Sequence, residues 1–323
     1  MQKPLAALAL AAASVVVLSG CSMTTGAADD GKVHIVASTN IYGSLAAQVG
    51  GDRVDVTSLI DSAAKDPHSY EATARDRLAV QQADLVIANG GGYDSFMDQL
   101  VDGSDAALLT AVEFSHDYPD ATVEDDEHSD HAEEDAHAED DHEGHSHIEG
   151  FNEHVWFDPH TVTHVVEHIA EDLAKIDPDG ADEFTANAEK LNAEIEQLET
   201  ELDGLHTRLE GTPVFITEPL PGYLAAAAGL DDATPEGFAL AVEEGNDVAP
   251  ATLLASLDLI KGKGVAAVLA NAQTGGSETT QIEDAAKQAG IPIITFSELL
   301  EADQSYAEWM RAAINDLAAA LDE

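Results

Sequence analysis

Eight apolar residues, Phe184, Ala188, Leu191, Ile195, Leu198, Leu202, Leu205 and Leu209, recur at alternating steps of four and three through a stretch otherwise rich in Asp, Glu, Asn and Thr. That period puts all of them on one face of a single α-helix. At the helical rise the span from Phe184 to Leu209 is roughly 39 Å long, about the width of a small domain. The apolar stripe must therefore be covered along its whole length. A 4-3 repeat also describes a coiled-coil seam, but only about three to four heptads are present and the flanking patterns are of another kind. The expectation is one backbone helix, 176–210, against which the segments on either side pack.

Those segments alternate short apolar runs with helix-like stretches. Before the helix the runs are Val33-His34-Ile35-Val36-Ala37, Val54 to Ile60, and Asp84-Leu85-Val86-Ile87-Ala88; after it they are Val214-Phe215-Ile216-Thr217, Val265 to Ala270, and Pro292-Ile293-Ile294-Thr295-Phe296. Strands alternating with helices imply a parallel sheet covered by helices. The predicted fold is α/β: two lobes, 32–175 and 211–323, each with a mostly parallel sheet flanked by helices, joined by one long backbone helix.

The first residues have the three-part layout of a secretory signal: Met1-Gln2-Lys3, an apolar run to Leu18, then Ser19-Gly20-Cys21. The run is too short to span a bilayer. Leu18-Ser19-Gly20-Cys21 resembles a bacterial lipobox, which implies removal of 1–20, a lipid on Cys21, a tether over 21–31 and an extracytoplasmic, membrane-anchored location. The alternative is an ordinary signal peptide with an incidental cysteine. Cys21 is the single cysteine, so the exported fold has no disulfide and rests on buried apolar area. With 13 basic against 63 acidic residues the formal charge is −50, which argues against nucleic acid and anionic membrane surfaces as partners and leaves cations as natural ligands. Acidity on this scale also serves solubility or salt tolerance.

One segment, 116–149, departs from the rest. His116, His128, His131, His137, His142, His145 and His147 stand among Asp and Glu with almost no large apolar residues. Such a composition cannot offset the entropy of ordering, so a disordered insertion in the first lobe is expected. It reads either as an accessory store for metal ions or as a solvated spacer.

Two short motifs of the first lobe carry candidate ligands: Asp66-Pro67-His68-Ser69-Tyr70-Glu71 and Asn152-Glu153-His154-Val155-Trp156-Phe157-Asp158-Pro159. Each sets a histidine beyond a strand or loop, near where open α/β sheets bind ligands. Together with the His/acid insertion, the long helix, Thr217-Glu218-Pro219-Leu220-Pro221-Gly222-Tyr223-Leu224, Ile291 to Glu298, Tyr306 and Trp309, these motifs resemble the solute-binding lipoproteins of bacterial zinc and manganese ABC importers. The resemblance covers essentially the whole chain after the signal. It implies one metal ion between the lobes, ligated by His68 and His154 from the first and by Glu218 and Glu298 from the second. Where relatives commonly carry aspartate or use water, this chain has Glu298, one methylene longer. The resemblance also implies a membrane permease as partner.

Chemistry agrees with a transition metal, since neutral imidazoles suit zinc and other first-row ions and two carboxylates neutralise a divalent cation. Calcium and magnesium prefer all-oxygen shells. Zinc is the first choice because the intrinsic affinity order places it above manganese; manganese is the alternative. Asp66, Glu71 and Asp158 are candidates to support the ligating imidazoles, while Trp156 and Phe157 are expected in the cleft wall. His160, His164 and His168 lie one turn apart, which fits an exposed polar face better than a second site. A zinc hydrolase would show a His-Glu-x-x-His helix or a Gly-x-Ser-x-Gly elbow, and the sequence has neither. An adhesin would need no converging ligands. A monomeric receptor, not an enzyme, is the expectation.

Overall fold

The computed structural model describes residues 31–62, 65, 67, 70–119, 148, 150–301 and 304–321. The leader with Cys21, Asp66, His68 and the insertion histidines His128, His131, His137, His142, His145 and His147 lie outside the described residues. From Lys32 onward the chain forms one compact unit.

The first lobe runs β1 (Val33–Thr39), α1 (Asn40–Gly50), β2 (Val54–Ile60), α2 (Ala74–Gln81), β3 (Leu85–Ala88), α3 (Phe96–Val101), β4 (Ala107–Thr110) and α4 (Pro159–Ile176). Its four strands are all parallel in the order β2-β1-β3-β4. The central strand β3 reads Leu-Val-Ile-Ala without a polar break because helices cover both its faces and every residue is buried. Helix α4 starts where it does because Asp158 caps it, accepting from the backbone N–H groups of His160 and Thr161, with Pro159 in the first turn.

The long helix is α5, Ala181–Leu209, 29 residues and therefore roughly 43 Å. Its buried residues are the eight apolar positions of the repeat and no others. The helix packs against α1, α4 and the chain's closing helix, Tyr306–Leu321, so the stripe is covered within one chain.

The second lobe repeats the theme: β5 (Thr212–Ile216), α6 (Gly222–Ala227), β6 (Leu230–Asp232), α7 (Phe238–Glu243), α8 (Pro250–Lys261), β7 (Ala267–Asn271), α9 (Ser277–Ala289), β8 (Ile293–Phe296) and the closing α10 (Tyr306–Leu321). The sheet is again parallel, ordered β6-β5-β7-β8. Strands β4 and β6 add to the six read from the sequence. Both are short edge strands: Ala-Leu-Leu-Thr is apolar but only four residues long and half exposed, and Leu-Asp-Asp carries two acids.

The lobes share one apolar core. Residues of both sheets, of α5 and of α10 belong to it. Polar ties cross between them as well. Asn40 exchanges two hydrogen bonds with the backbone of Leu300, at 2.9 and 3.1 Å, and the buried Tyr306 hydroxyl donates to the Trp156 carbonyl at 3.0 Å.

Candidate functional site

Four loops at the carboxyl ends of the strands meet between the lobes. From the first lobe the approach begins at β3, which ends in Asn89-Gly90-Gly91-Gly92-Tyr93-Asp94. Asp94 folds this turn by accepting the backbone N–H groups of Asn89 and Gly90 at 2.7 and 2.8 Å; burial pushes its carboxyl up from the usual range even though these bonds pull the other way. Asn89, fully buried, accepts from the Tyr42 hydroxyl and donates to the backbone carbonyls of Gly90 and Glu153, both at 2.9 Å. The segment carrying His154 is thereby laid across the end of β3. Gly91 has φ +70, and a Cβ there would stand 3.3 Å from the Cβ of Glu153 and 3.2 Å from the Phe151 ring, so the close approach itself requires glycine.

His154 is completely buried. Its Nδ1 lies 2.8 Å from Asn152 Oδ1, while the Asn152 amide nitrogen donates to the Pro219 carbonyl at 3.0 Å. That second bond fixes which end of the amide is oxygen, so Nδ1 carries the proton and Nε2 the lone pair, the arrangement of a ligating imidazole held by its other nitrogen. The rings of Trp156 and Tyr93 stand edge-on to His154 at 5.1 and 5.8 Å. Trp156 and Phe157 are buried in the wall, Phe157 against Trp309 and Phe296 of the second lobe.

The second lobe brings carboxylates. Glu218, two residues beyond β5, is buried and accepts from the Thr274 hydroxyl. Glu298, two residues beyond β8, is fully buried; its Oε1 accepts from Asn271 Nδ2 at 2.6 Å and its Oε2 from the Tyr93 hydroxyl of the other lobe at 3.0 Å. The Glu298 backbone N–H donates to Gln273 at 3.2 Å. Two further acids were not singled out by sequence reasoning as site residues. Glu153, beside His154, is buried. Glu243, the last residue of α7, has a side chain only 5 % exposed, with Oε1 3.7 Å from His154 Nδ1. Burial, then the charges of Glu153, Glu218 and Glu298, push the Glu243 carboxyl up to about 9.

The structure thus brings His154, Glu218 and Glu298 to one place from three separate loops. His68 lies outside the described residues. Among the described residues no three His, Asp or Glu side chains stand at coordination distance; Glu153, Glu218 and Glu298 lie close enough to Glu243, itself beside the His154 ring, for their charges to act on it. The proton on His154 Nδ1 goes to Asn152 and not to either described candidate for support. Asp158 is committed to capping α4, its nearest imidazole being that of His116 at 4.0 Å, and Glu71 is exposed. The helix start that Pro159 dictates turns the Asp158 carboxylate toward the N–H groups behind it, and Asn152 does the supporting instead. His160 is 65 % exposed, whereas His164 and His168 are half-buried, His168 bonding the His164 carbonyl with its ring 4.2 Å from that of Phe114, so only the first stands on an exposed polar face.

Loops from two parallel sheets that meet over a buried imidazole and carboxylates define a two-lobed binding protein with its polar site between the lobes. Residues 35–320 match the model of the zinc-uptake complex component A, periplasmic (ZnuA), and the chain belongs to that family. It is 30 % identical over 175 residues to the manganese-binding lipoprotein MntA of Halalkalibacterium halodurans, covering 54 % of this chain and 50 % of that protein. It is also 30 % identical over 184 residues to the zinc-binding lipoprotein AdcA of Streptococcus pneumoniae, covering 56 % and 34 %. The matched region thus spans half the length of the first relative and about a third of the second. Among solved structures, the periplasmic zinc-binding protein TroA from Treponema pallidum shares the fold, with a TM-score of 0.70 at 19 % identity over 90 % of this chain and 99 % of that one.

Proposed function

We propose that this chain is the extracytoplasmic receptor of an ABC-type importer, which captures one divalent transition metal between its lobes and delivers it to the membrane permease. The observation that carries this reading is His154: a fully buried imidazole whose proton is held by Asn152, so that its lone pair is turned to a site shared with Glu218 and Glu298. The ligand set is His68, His154, Glu218 and Glu298. Zinc is the cargo, because two imidazoles and two carboxylates without a thiolate follow the intrinsic order that favours zinc over manganese. The names of relatives include both metals, which supports the class of cargo. Cys21 carries the lipid that keeps a monomeric receptor at the membrane, and the insertion histidines gather zinc beside the cleft. Among the described residues no helix is long and apolar enough to cross a membrane.

Competitive titration of the metal-free chain lacking residues 1–21 with zinc and manganese tests this, alongside a version deleted for 122–148. One tight zinc equivalent that survives the deletion, with weaker equivalents lost, is the expected result. Tight binding that disappears with the insertion refutes the cleft assignment, and a preference for manganese at the remaining site refutes zinc.

A further inference from the structure

The apolar stripe of α5 has one small member. Where the rest of the repeat carries Phe, Leu or Ile, position 188 is alanine, and α4, packed against it, presents Ala170 and Ala174 one turn apart. The side-chain ridges that would otherwise interlock are missing at this point, and a groove of about 380 Å³ lies between the two helices. Ala170 and Ala188 are buried in its floor, at 7 % and 5 % exposed. Glu167 and Glu171 from α4 and Glu189 from α5 stand exposed along its sides. None of the residues gathered around His154 lines it.

Every polar group on the wall of this groove is left as an acceptor. The Thr185 hydroxyl donates to the Ala181 carbonyl at 2.9 Å, and the Asn192 amide nitrogen spends its hydrogens on the Thr163 carbonyl and on Glu167, both at 3.4 Å. The buried Asn192 carbonyl accepts nothing among the described residues, and neither Glu171 nor Glu189 accepts a hydrogen bond there. No lysine or arginine lines the groove; Lys175, one turn beyond Glu171, is bound to Asp172 at 2.9 Å. A wall of acceptors calls for a ligand made of donors, and the alanine floor narrows the choice. A bare metal ion gains nothing from methyl groups, whereas a chain of methylenes does. We propose that the groove between α4 and α5 binds an aliphatic diamine or polyamine, its methylenes on the alanines and its ammonium groups between the glutamates. Carboxylates on both sides then accept charge-assisted hydrogen bonds, and their mutual repulsion is removed. The groove is at the small end of the range of about 300–1,000 Å³ usual for ligand pockets, which suits a chain of a few methylenes.

A chain with a formal charge of −50 attracts polycations over its whole surface, so the test must separate a site from that background. Binding of spermidine, putrescine and the monoamine butylamine to the full chain is measured by calorimetry at physiological salt. One saturable equivalent of spermidine is expected, with butylamine weaker by about tenfold or more for each ammonium contact it cannot make. Glu171→Gln combined with Glu189→Gln should weaken spermidine by about tenfold or more. Asp231→Asn combined with Glu236→Gln removes the same charge from exposed positions of the second lobe and should match the parent. Ala174→Leu fills the groove without touching charge and should abolish the equivalent while zinc binding is unchanged. Several weak equivalents, or the same loss in both double variants, would reduce the effect to diffuse attraction and overturn the proposal. So would an Ala174→Leu chain that keeps its circular dichroism and still binds; if that chain does not fold, the two charge variants decide. A lysine-rich peptide that binds the parent but not the Glu171/Glu189 variant, where spermidine binds neither, would make the groove a dock for a basic protein segment and equally overturn it.

Discussion

The hydroxyl of Tyr93 crosses from the first lobe to a carboxylate of the second, which makes Tyr93→Phe a probe of whether the metal-free protein holds its lobes together. Both residues are fully buried and the bond is 3.0 Å long. Phenylalanine keeps the ring, and with it the contacts to Trp156 at 4.6 Å and to His154 at 5.8 Å, so no cavity opens. What is lost is one hydrogen bond to a buried carboxylate whose other oxygen accepts from Asn271. Such a loss costs about 1.5–3 kcal/mol. With an unfolding entropy of about 2.1 cal/mol/K per residue over the unit Lys32–Glu323, that lowers the melting temperature by roughly 2–5 °C. The assay is thermal unfolding of metal-free parent and variant, followed by circular dichroism at one pH and protein concentration. A variant that melts with the parent would show that the bond is not made in solution. The account of lobes tied across the site in the absence of cargo would then be wrong.

Gly91→Ala forces a side chain into a left-handed conformation and against Phe151 and Glu153; a stability loss of about 1–2 kcal/mol from the backbone alone, together with weaker metal binding as the His154 segment is displaced, is expected from urea unfolding and zinc titration. Asp76 at the start of α2 forms a capping box with Thr73 and accepts from the Tyr70 hydroxyl. Partial burial works against its charge, but the bonds from Thr73 and Tyr70 prevail and hold its carboxyl below the usual range. The stabilisation is therefore present above the ordinary carboxylate range and is lost as pH falls through the lowered value. Asp76→Ala should cost about 1 kcal/mol at neutral pH and progressively less toward pH 2 in acid unfolding. Small-angle scattering should give the same radius of gyration, about 19 Å for the compact unit, with and without metal; a clear contraction on loading would refute a stiff scaffold.

What could be read from the sequence depended on whether a residue acts through a repeating pattern or through a single contact. The apolar face of α5 was legible to the residue, because an amphipathic period can be satisfied only by burying Phe184 through Leu209 on one side, and those eight are the buried positions; its start was not, since α4 runs to Ile176 and a turn over Pro178–Gly180 precedes Ala181. Strands with continuous apolar runs were legible for the same reason, whereas the edge strands β4 and β6 were not. His154, Glu218 and Glu298 stood out by the motifs around them and come together at the strand ends. Asp158 carried two readings, because an aspartate before a proline is as good a helix cap as a partner for histidine, and the cap is the role seen among the described residues. Glu243 gave no signal: it ends a six-residue helix in a run of small and acidic residues, and only the path of α7 brings it to the cleft. The Asn89-Gly90-Gly91-Gly92 run after a strand was a visible cue to a close backbone approach that went unused.

The shared core also bears on how cargo leaves. Separating the lobes as rigid bodies would expose Phe157, Phe296, Tyr306 and Trp309, all buried where the two halves meet α10. At about 1.5–3 kcal/mol for each large apolar side chain, uncovering four of them costs roughly 6–12 kcal/mol, comparable to the whole stability of a domain. Against that, α7 is a short helix pinned at one end by Phe238, and Thr274, which bonds Glu218, belongs to a loop between β7 and α9. Moving these pieces disturbs Glu243 and Glu218 while leaving α5 and the core intact. On the proposed assignment the ion leaves by a shift of the loop that carries Glu218, and the imidazole of His154, fixed by Asn152 and walled by Trp156, is the part of the site that stays in place.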